Sequence, residues 1–432
     1  MGSLNLKMPY NLAGYPAEFK MGAKATFGKK DRDEDRWRYK WKGDEKVKMS
    51  QMLYSEEQKA FFNDNYDRFG PVPDQDKVEK FFEEHRDGLL KGEFRYWDSE
   101  GQNFLANEDI YAYYAMTTVN LGKLMVLGGL RHEFTKNDYD GTKLLFDDSG
   151  DFSSMERVNE KRDYNNLLPM LHLKYGITPM TNLRLAYTQA IARPNYWDYA
   201  PYYFVDPKNE EILAGNPDLK PTTSQNIDLM FEHFFQGIGI ASGGFFYKNL
   251  QDIIYVQTSK VVGGVYDDYE IEQAINGGSA KLYGLELNWQ QEFSFLPGFL
   301  SGLGIYANYT HTWADADLLG REGFLPGQAG DVANFSLSYE KYDFSARLSA
   351  SYRDKFIMEV GKDKDRDEWT DKHMQLDFSA TYNVLPWMQA YMDVINLTNE
   401  PQYEYLGVRN RPVVVEYFSW WMKAGLKFRF GS

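Results

Sequence analysis

The chain has 432 residues, a formal net charge of −15 and no cysteine, and its mean hydropathy of −0.58 resembles that of a soluble protein. The acidic balance excludes a nucleic-acid surface, which needs clustered Lys and Arg. The lack of cysteine excludes disulfides, thiolate nucleophiles and cysteine metal sites. A helical membrane protein is excluded too: a spanning helix needs roughly 20 apolar residues, and the longest such run, Leu124–Leu130, has about seven.

What the sequence has instead is period-two alternation and many aromatics, 16% of all residues. Leu4, Leu6, Met8 and Tyr10 alternate with Asn5, Lys7 and Pro9. Phe19, Met21, Ala23, Ala25 and Phe27 alternate with Lys20, Gly22, Lys24 and Thr26. The pattern returns at Leu183, Leu185 and Tyr187, at Ala346, Leu348, Ala350 and Tyr352, and at Met374, Leu376, Phe378, Ala380 and Tyr382. It is clearest from Glu416 to Phe430. There Phe418, Trp420, Met422, Ala424, Leu426, Phe428 and Phe430 share one face, and Tyr417, Ser419, Trp421, Lys423, Gly425, Lys427 and Arg429 share the other. About fifteen such segments predict an all-β protein, a transmembrane antiparallel β-barrel whose alternate residues face lipid while lumen and loops stay polar. That arrangement reconciles the soluble-looking hydropathy with a membrane.

Connection lengths predict the topology. Short turns at NLAGYP, NLGK, ITPMT, FQGIG, LPG, EKYD and VLPW alternate with long polar stretches: about 28–106, 135–163, 191–224, 250–279, 313–330, 355–371 and 398–413. Outer-membrane barrels have short periplasmic turns and long external loops, so the alternation sets the orientation. One loop is expected to hold a short helix around Asp74–Leu90, with Val78, Phe81 and Phe82 in partial helical periodicity. The strand count is odd, whereas single-chain bacterial barrels are normally even and an open edge in lipid leaves backbone groups unpaired. The expectation is therefore part of a barrel: either the count is off by one strand, or preceding strands are missing. The first residues, MGSLNLKMPYNL, lack the apolar core of a secretory signal.

Four stretches carry a family resemblance: ANEDIYAYYAMTTVNLGKLMVLGGLRHEFT from Ala106, NLRLAYTQAIARPNYWDYAPY from Asn182, GNPDLKPTTSQNIDLMFEHFF from Gly215, and DVINLTNEPQYEYLG from Asp393 followed by a strand ending in Phe430. The chain resembles the TonB-dependent outer-membrane receptors over almost its whole length, and looks most like the large Bacteroidetes-type members. The resemblance implies a 22-stranded barrel filled by an N-terminal plug. Residues 1–432 would correspond to its last fifteen or so strands, with the plug and early strands absent. Gly431 and Ser432 extend past the terminal Phe usual in such barrels. The implied partners are outer-membrane lipid and a TonB-type energising protein engaged through a more N-terminal region, with room for a surface lipoprotein. No cofactor of the chain's own is implied.

The strongest candidate site is the loop from Arg193 to Leu219. Tyr196, Trp197, Tyr199, Tyr202, Tyr203 and Phe204 crowd into it, and aromatics give rigid contact area suited to sugars or chelates. The competing reading is an aromatic packing cluster. Arg193-Pro194 and Gly215-Asn216-Pro217 read as backbone landmarks. The acidic runs Asp31–Asp35 and Asp363–Glu368 fail as calcium loops. Their sixth positions are Arg36 and Glu368, where Gly is wanted, and Met374 stands at the twelfth of the second run. Asp138, Asp140, Asp147, Asp148 and Asp151 form another acidic group that could hold a cation. The charges Lys423, Lys427, Arg429, Arg347, Arg353, Asp377 and Glu286 are expected to line the lumen.

Catalysis has no residue to name. The six histidines are scattered, and no G-x-S-x-G or phosphate-cradling glycine loop is present. The leading expectation is a TonB-dependent receptor for a large scarce solute: an iron chelate, haem, cobalamin or an oligosaccharide. The alternative is a passive channel or non-transporting barrel fragment. A soluble propeller is disfavoured because no repeat of roughly 40–50 residues occurs.

Overall fold

The computed structural model describes residues 1–53, 73–147, 152–318, 321–323, 325–361 and 363–429. Fifteen strands form one antiparallel wall: Gly2–Leu12, Tyr15–Arg32, Phe104–Leu121, Leu124–Phe146, Phe152–Thr178, Thr181–Ala192, Thr222–Phe234, Gly239–Gln251, Ser279–Glu292, Leu303–Leu318, Asp331–Lys341, Phe344–Arg353, His373–Leu385, Met388–Ile395 and Trp421–Phe428. Each pairs with the next in chain order, an up-and-down meander. All seven short connections expected from sequence join wall strands at one end, and the seven long ones join them at the other. Two of the tight turns place consecutive residues at positive φ: Ala13 (50°) with Gly14 (87°), and Tyr342 (56°) with Asp343 (61°). This is the primed turn whose twist matches that of the flanking strands.

Register makes one face continuously apolar. A single row runs Leu337–Leu348–Phe378–Val394–Met422 across five strands. Leu337 and Leu348 are each 45% exposed and Met422 is 55% exposed. Leaving such side chains in water forfeits about 25 cal/mol per Å², so a wall presenting Leu337, Leu348 and Met422 on one face requires lipid. Aromatics bound the band. Its upper row includes Tyr187, Tyr247, Tyr283 and Trp313, the last two stacked at 5.5 Å. The lower edge carries Trp387 against Phe428 and Tyr339 against Phe344, each pair at 6.1 Å. Trp313 and Leu303, which pairs with Tyr339, lie ten residues apart on one strand. At about 3.3 Å per residue and a tilt of about 40° that spans about 25 Å, the height of the lipid-facing band of outer-membrane barrels.

The opposite face is polar. Arg184 pairs with Glu232 at 2.7 Å, Lys7 with Glu18 at 2.6 Å, and the Ser336 and Ser349 hydroxyls meet at 2.8 Å. Strand Gly2–Leu12 and strand Trp421–Phe428 each have one wall neighbour, and no pairing among the described residues joins them.

Three expectations need correction. The stretch 135–163 is mostly not a loop: the strands ending at Phe146 and starting at Phe152 continue in register far above the membrane band as a ribbon. Polar cross-strand contacts sustain it. Asp138 accepts from Lys161 at 2.8 Å and from Asn159, which also donates to Asp140. These two carboxylates are thus ladder partners, while Asp148 and Asp151 lie outside the described residues. No metal-holding group of His, Asp and Glu occurs among the described residues.

Second, the last strand is shorter than the period from Glu416 to Phe430. Ser419 sits at φ 62°, which breaks the alternation, so the wall begins at Trp421; Phe430 lies outside the described residues. Third, the helix is Gln75–His85, with Asp74 accepting from the Lys77 amide as its cap. Phe81 and Phe82 pack on Trp41 and Tyr39 of a small antiparallel strand pair, Trp37–Trp41 with Leu90–Phe94. Val78 is exposed instead.

Candidate functional site

The aromatic loop leaves the wall at Arg193 and folds back onto it. A helical turn, Tyr196–Tyr199, leads into strand Tyr203–Asp206, which pairs with Glu211–Ala214. That strand runs parallel to Glu270–Asn276 of the next external loop, and Tyr203 makes a parallel bridge to Lys143 of the ribbon. Three external connections are thereby tied into one small sheet above the wall.

The loop's underside is held by polar groups from the lumen face. The Arg193 guanidinium pairs with Glu133, which Arg131 also holds at 2.6 Å, and it reaches the Thr135 hydroxyl at 3.3 Å. Glu133 is 8% exposed and Thr135 fully buried, while Arg193 is half-buried, so the ion pair is largely shielded from water. From the ribbon, Arg162 donates to the Pro217 carbonyl at 3.1 Å and the Asp218 carboxylate at 2.9 Å. Gly215 explains its own landmark: a Cβ there would lie 1.8 Å from the Ala200 carbonyl oxygen. Its amide donates to Tyr202 O at 3.0 Å, and the Asn216 side chain donates to Ala274 O at 2.9 Å.

The six aromatics divide into two kinds. Tyr199 and Tyr202, 1% and 3% exposed, are core residues of a cluster with Phe104, Ala106, Tyr139 and Leu219. Tyr199 meets Tyr139 edge-on at 4.8 Å, and Tyr202 lies 4.4 Å from Trp197. Tyr196, Trp197, Tyr203 and Phe204 are half-buried. Trp197 lies under the Arg32 guanidinium at 4.5 Å, and Tyr203 packs near Tyr266 at 6.5 Å. Burial pushes the Tyr199 phenol up to about 12, drives Tyr202 higher, and raises the Asp198 carboxyl against its Asn195 hydrogen bond.

Glu133, Arg131, Tyr139, Phe104 and Arg32 belong to this site and were not singled out in the sequence. Each occupies an ordinary alternating position on its strand, and nothing local marks which ones the loop will cover.

The meander, its lipid-sized apolar band and its long-loop end agree with the family comparison. A model described as "TonB dependent receptor-like, beta-barrel" matches residues 5–397. The chain belongs to the TonB-dependent receptor family. Members are outer-membrane proteins of Gram-negative bacteria that interact with TonB and with external ligands, and this barrel is placed in that membrane accordingly. No curated protein matches in sequence.

Solved structures with the same fold include the ferric-catecholate import receptor Fiu from E. coli K12, at a TM-score of 0.65 and 14% identity over 98% of this chain and 54% of Fiu. They also include the siderophore receptor PiuA from Acinetobacter baumannii, at 0.62 and 14% over 98% of this chain and 55% of PiuA. The Serratia marcescens hemophore receptor HasR, solved with its hemophore and heme, matches at 0.54 and 12% over 99% of this chain and 62% of HasR. The chain spans little more than half the length of Fiu and PiuA.

Proposed function

We propose that the chain is the C-terminal barrel portion of a receptor for energised uptake of a large scarce solute: an iron chelate, haem, cobalamin or an oligosaccharide. Energy would come from a TonB-type protein acting through a more N-terminal region. Further strands would close the wall between Gly2–Leu12 and Trp421–Phe428, and a plug would fill the lumen. Fiu, PiuA and HasR are described with a ferric catecholate, a siderophore and heme, which supports the solute class.

The observation carrying this reading is the anchored aromatic loop. An exposed flexible loop would lose entropy on gripping a solute, whereas one held by the Arg193–Glu133 pair has that ordering already in place. Tyr196, Trp197, Tyr203 and Phe204 offer the contact faces, and Tyr199 and Tyr202 hold them from beneath.

Uptake of labelled ferric chelates, haem, cobalamin and oligosaccharides should be compared in cells with and without the gene, each with TonB intact or deleted. Accumulation of one class that requires both gene and TonB is the expected result. Entry that needs the gene but not TonB would establish the passive channel. No dependence on the gene would defeat both.

A further inference from the structure

A second site lies further along the wall, over strands Asp331–Lys341, Phe344–Arg353 and His373–Leu385. Four short strands from two external loops, Phe356–Glu359, Glu368–Thr370, Gln402–Leu406 and Pro412–Glu416, form a separate sheet. Between that sheet and the lumen face of three wall strands is a cavity of about 470 Å³, within the range of small-ligand pockets.

Its donors are placed by register. Arg353 pairs directly with Val332 on one side and His373 on the other, and Ser351 lies between Asn334 and Gln375 in the next inward row. All six line the cavity, and Thr370 joins them from the loop sheet. Thr370 is 4% exposed, yet its hydroxyl has no hydrogen-bond partner among the described residues, and neither has the buried Arg353 Nε. An unpaired buried polar group is costly, so two at one cavity mark a place where a ligand supplies the missing partner.

The charge balance selects the ligand's sign. Asp371 is the carboxylate lining the cavity, and it is committed to Arg409 at 2.6 Å. No described carboxylate makes an ion pair with Arg353, whose guanidinium rests on the Phe356 ring at 4.6 Å. Apart from Gln402, the remaining walls are apolar or aromatic, with Phe356, Met358, Tyr403 and Phe418 prominent. The backbone break at Ser419 that ends the lipid face leaves Phe418 lining this cavity. We infer that the cavity binds a ring-bearing carboxylate, its anionic oxygens held by Arg353 and Thr370 and its ring lying among Phe356, Tyr403 and Phe418. Such a group would be part of the solute or a free small anion. The assignment rests on the uptake reading for its biological meaning, but not for its chemistry.

The test is direct binding to the purified receptor in detergent micelles, with no energy source, using 4-fluorobenzoate as probe and fluorine NMR line-broadening as readout. The uncharged 4-fluorobenzamide is the comparison. Arg353→Gln should weaken the benzoate by about tenfold or more and Thr370→Val by severalfold. Arg347→Gln, on the same strand six residues toward the turns, should leave it unchanged. Equal binding of benzamide, or benzoate binding unaffected by both cavity substitutions, would overturn the inference, as would no binding by the wild-type protein. Thr370→Val keeps side-chain shape, so it decides the matter if Arg353→Gln loses heat-modifiable mobility. Failure here leaves TonB-dependent uptake standing if the transport experiment succeeds. Binding here with no energised uptake would sink the transport reading alone.

Discussion

Arg193 and Glu133 stand sixty residues apart in the chain and meet as a buried ion pair between the root of the aromatic loop and the lumen face of the wall. The contact fixes the root of the external loop to the lumen face of the wall. Loss of Glu133 leaves Arg193 without its carboxylate, whereas loss of Arg193 leaves Glu133 held by Arg131 alone.

Arg193→Ala should therefore cost about 3 kcal/mol of local loop stability, the lower end for a buried pair losing one partner. The value is low because Arg131 still holds Glu133 at 2.6 Å. Hydrogen exchange over residues 196–219 measures it. Protection unchanged from wild type would show that the pair does not anchor the loop.

At Gly215 the constraint is steric. Adding a methyl places Cβ 1.8 Å from the Ala200 carbonyl oxygen, which is backbone and has no rotamer to yield. Gly215→Ala should destabilise the loop by at least about 2 kcal/mol. Gly128→Ala, where nothing lies within 4 Å, serves as the tolerated comparison. Equal protease resistance of the two variants would contradict the packing described.

The buried phenol gives a pH prediction. Tyr199 is raised from 10.0 to about 12 by burial, so the folded loop binds that proton more tightly than the unfolded chain. Its contribution to stability is complete below about pH 10 and is lost as pH rises through about 12. The difference in 295-nm absorbance between wild type and Tyr199→Phe should show its step near pH 12. A step near pH 10 would place the ring in solvent.

Asp198 behaves in the same sense at lower pH. Burial raises its carboxyl, so its stabilising contribution is full in acid and fades as pH rises through the raised value. Asp198→Asn should flatten the pH dependence of loop protection over that interval without lowering protection at neutral pH. A loss of protection at every pH would mean that the charged carboxylate supports the loop.

Much of the wall was legible because its physics is local and periodic. Alternation such as Leu348 with Ser349 needs only the strand's two faces, and seven tight turns punctuate it at the membrane edge. The ribbon from Thr135 to Asp163 was hidden because above the lipid no face meets acyl chains, and the face that the aromatic loop covers is built from Thr135, Asn137 and Tyr139, so apolar alternation fades while backbone pairing continues. The early end of the last strand turns on one residue, Ser419, whose positive φ has no marker in composition. In the aromatic loop the crowd of rings was visible, but their division was not. Whether a tyrosine is core, as Tyr199 is, or half-exposed, as Tyr203 is, depends on which wall residues the loop lands upon.

The parity of the wall is the central claim, and the cysteine-free chain permits a direct measurement. Single cysteines at Leu348→Cys and Ser349→Cys, labelled with bimane in the full receptor, would be reconstituted with brominated lipids. Strong quenching at 348 with little at the adjacent 349 is the expected result, since only 348 lies in the apolar row. Equal quenching at both, or quenching confined to 349, would contradict a lipid-facing wall with this register.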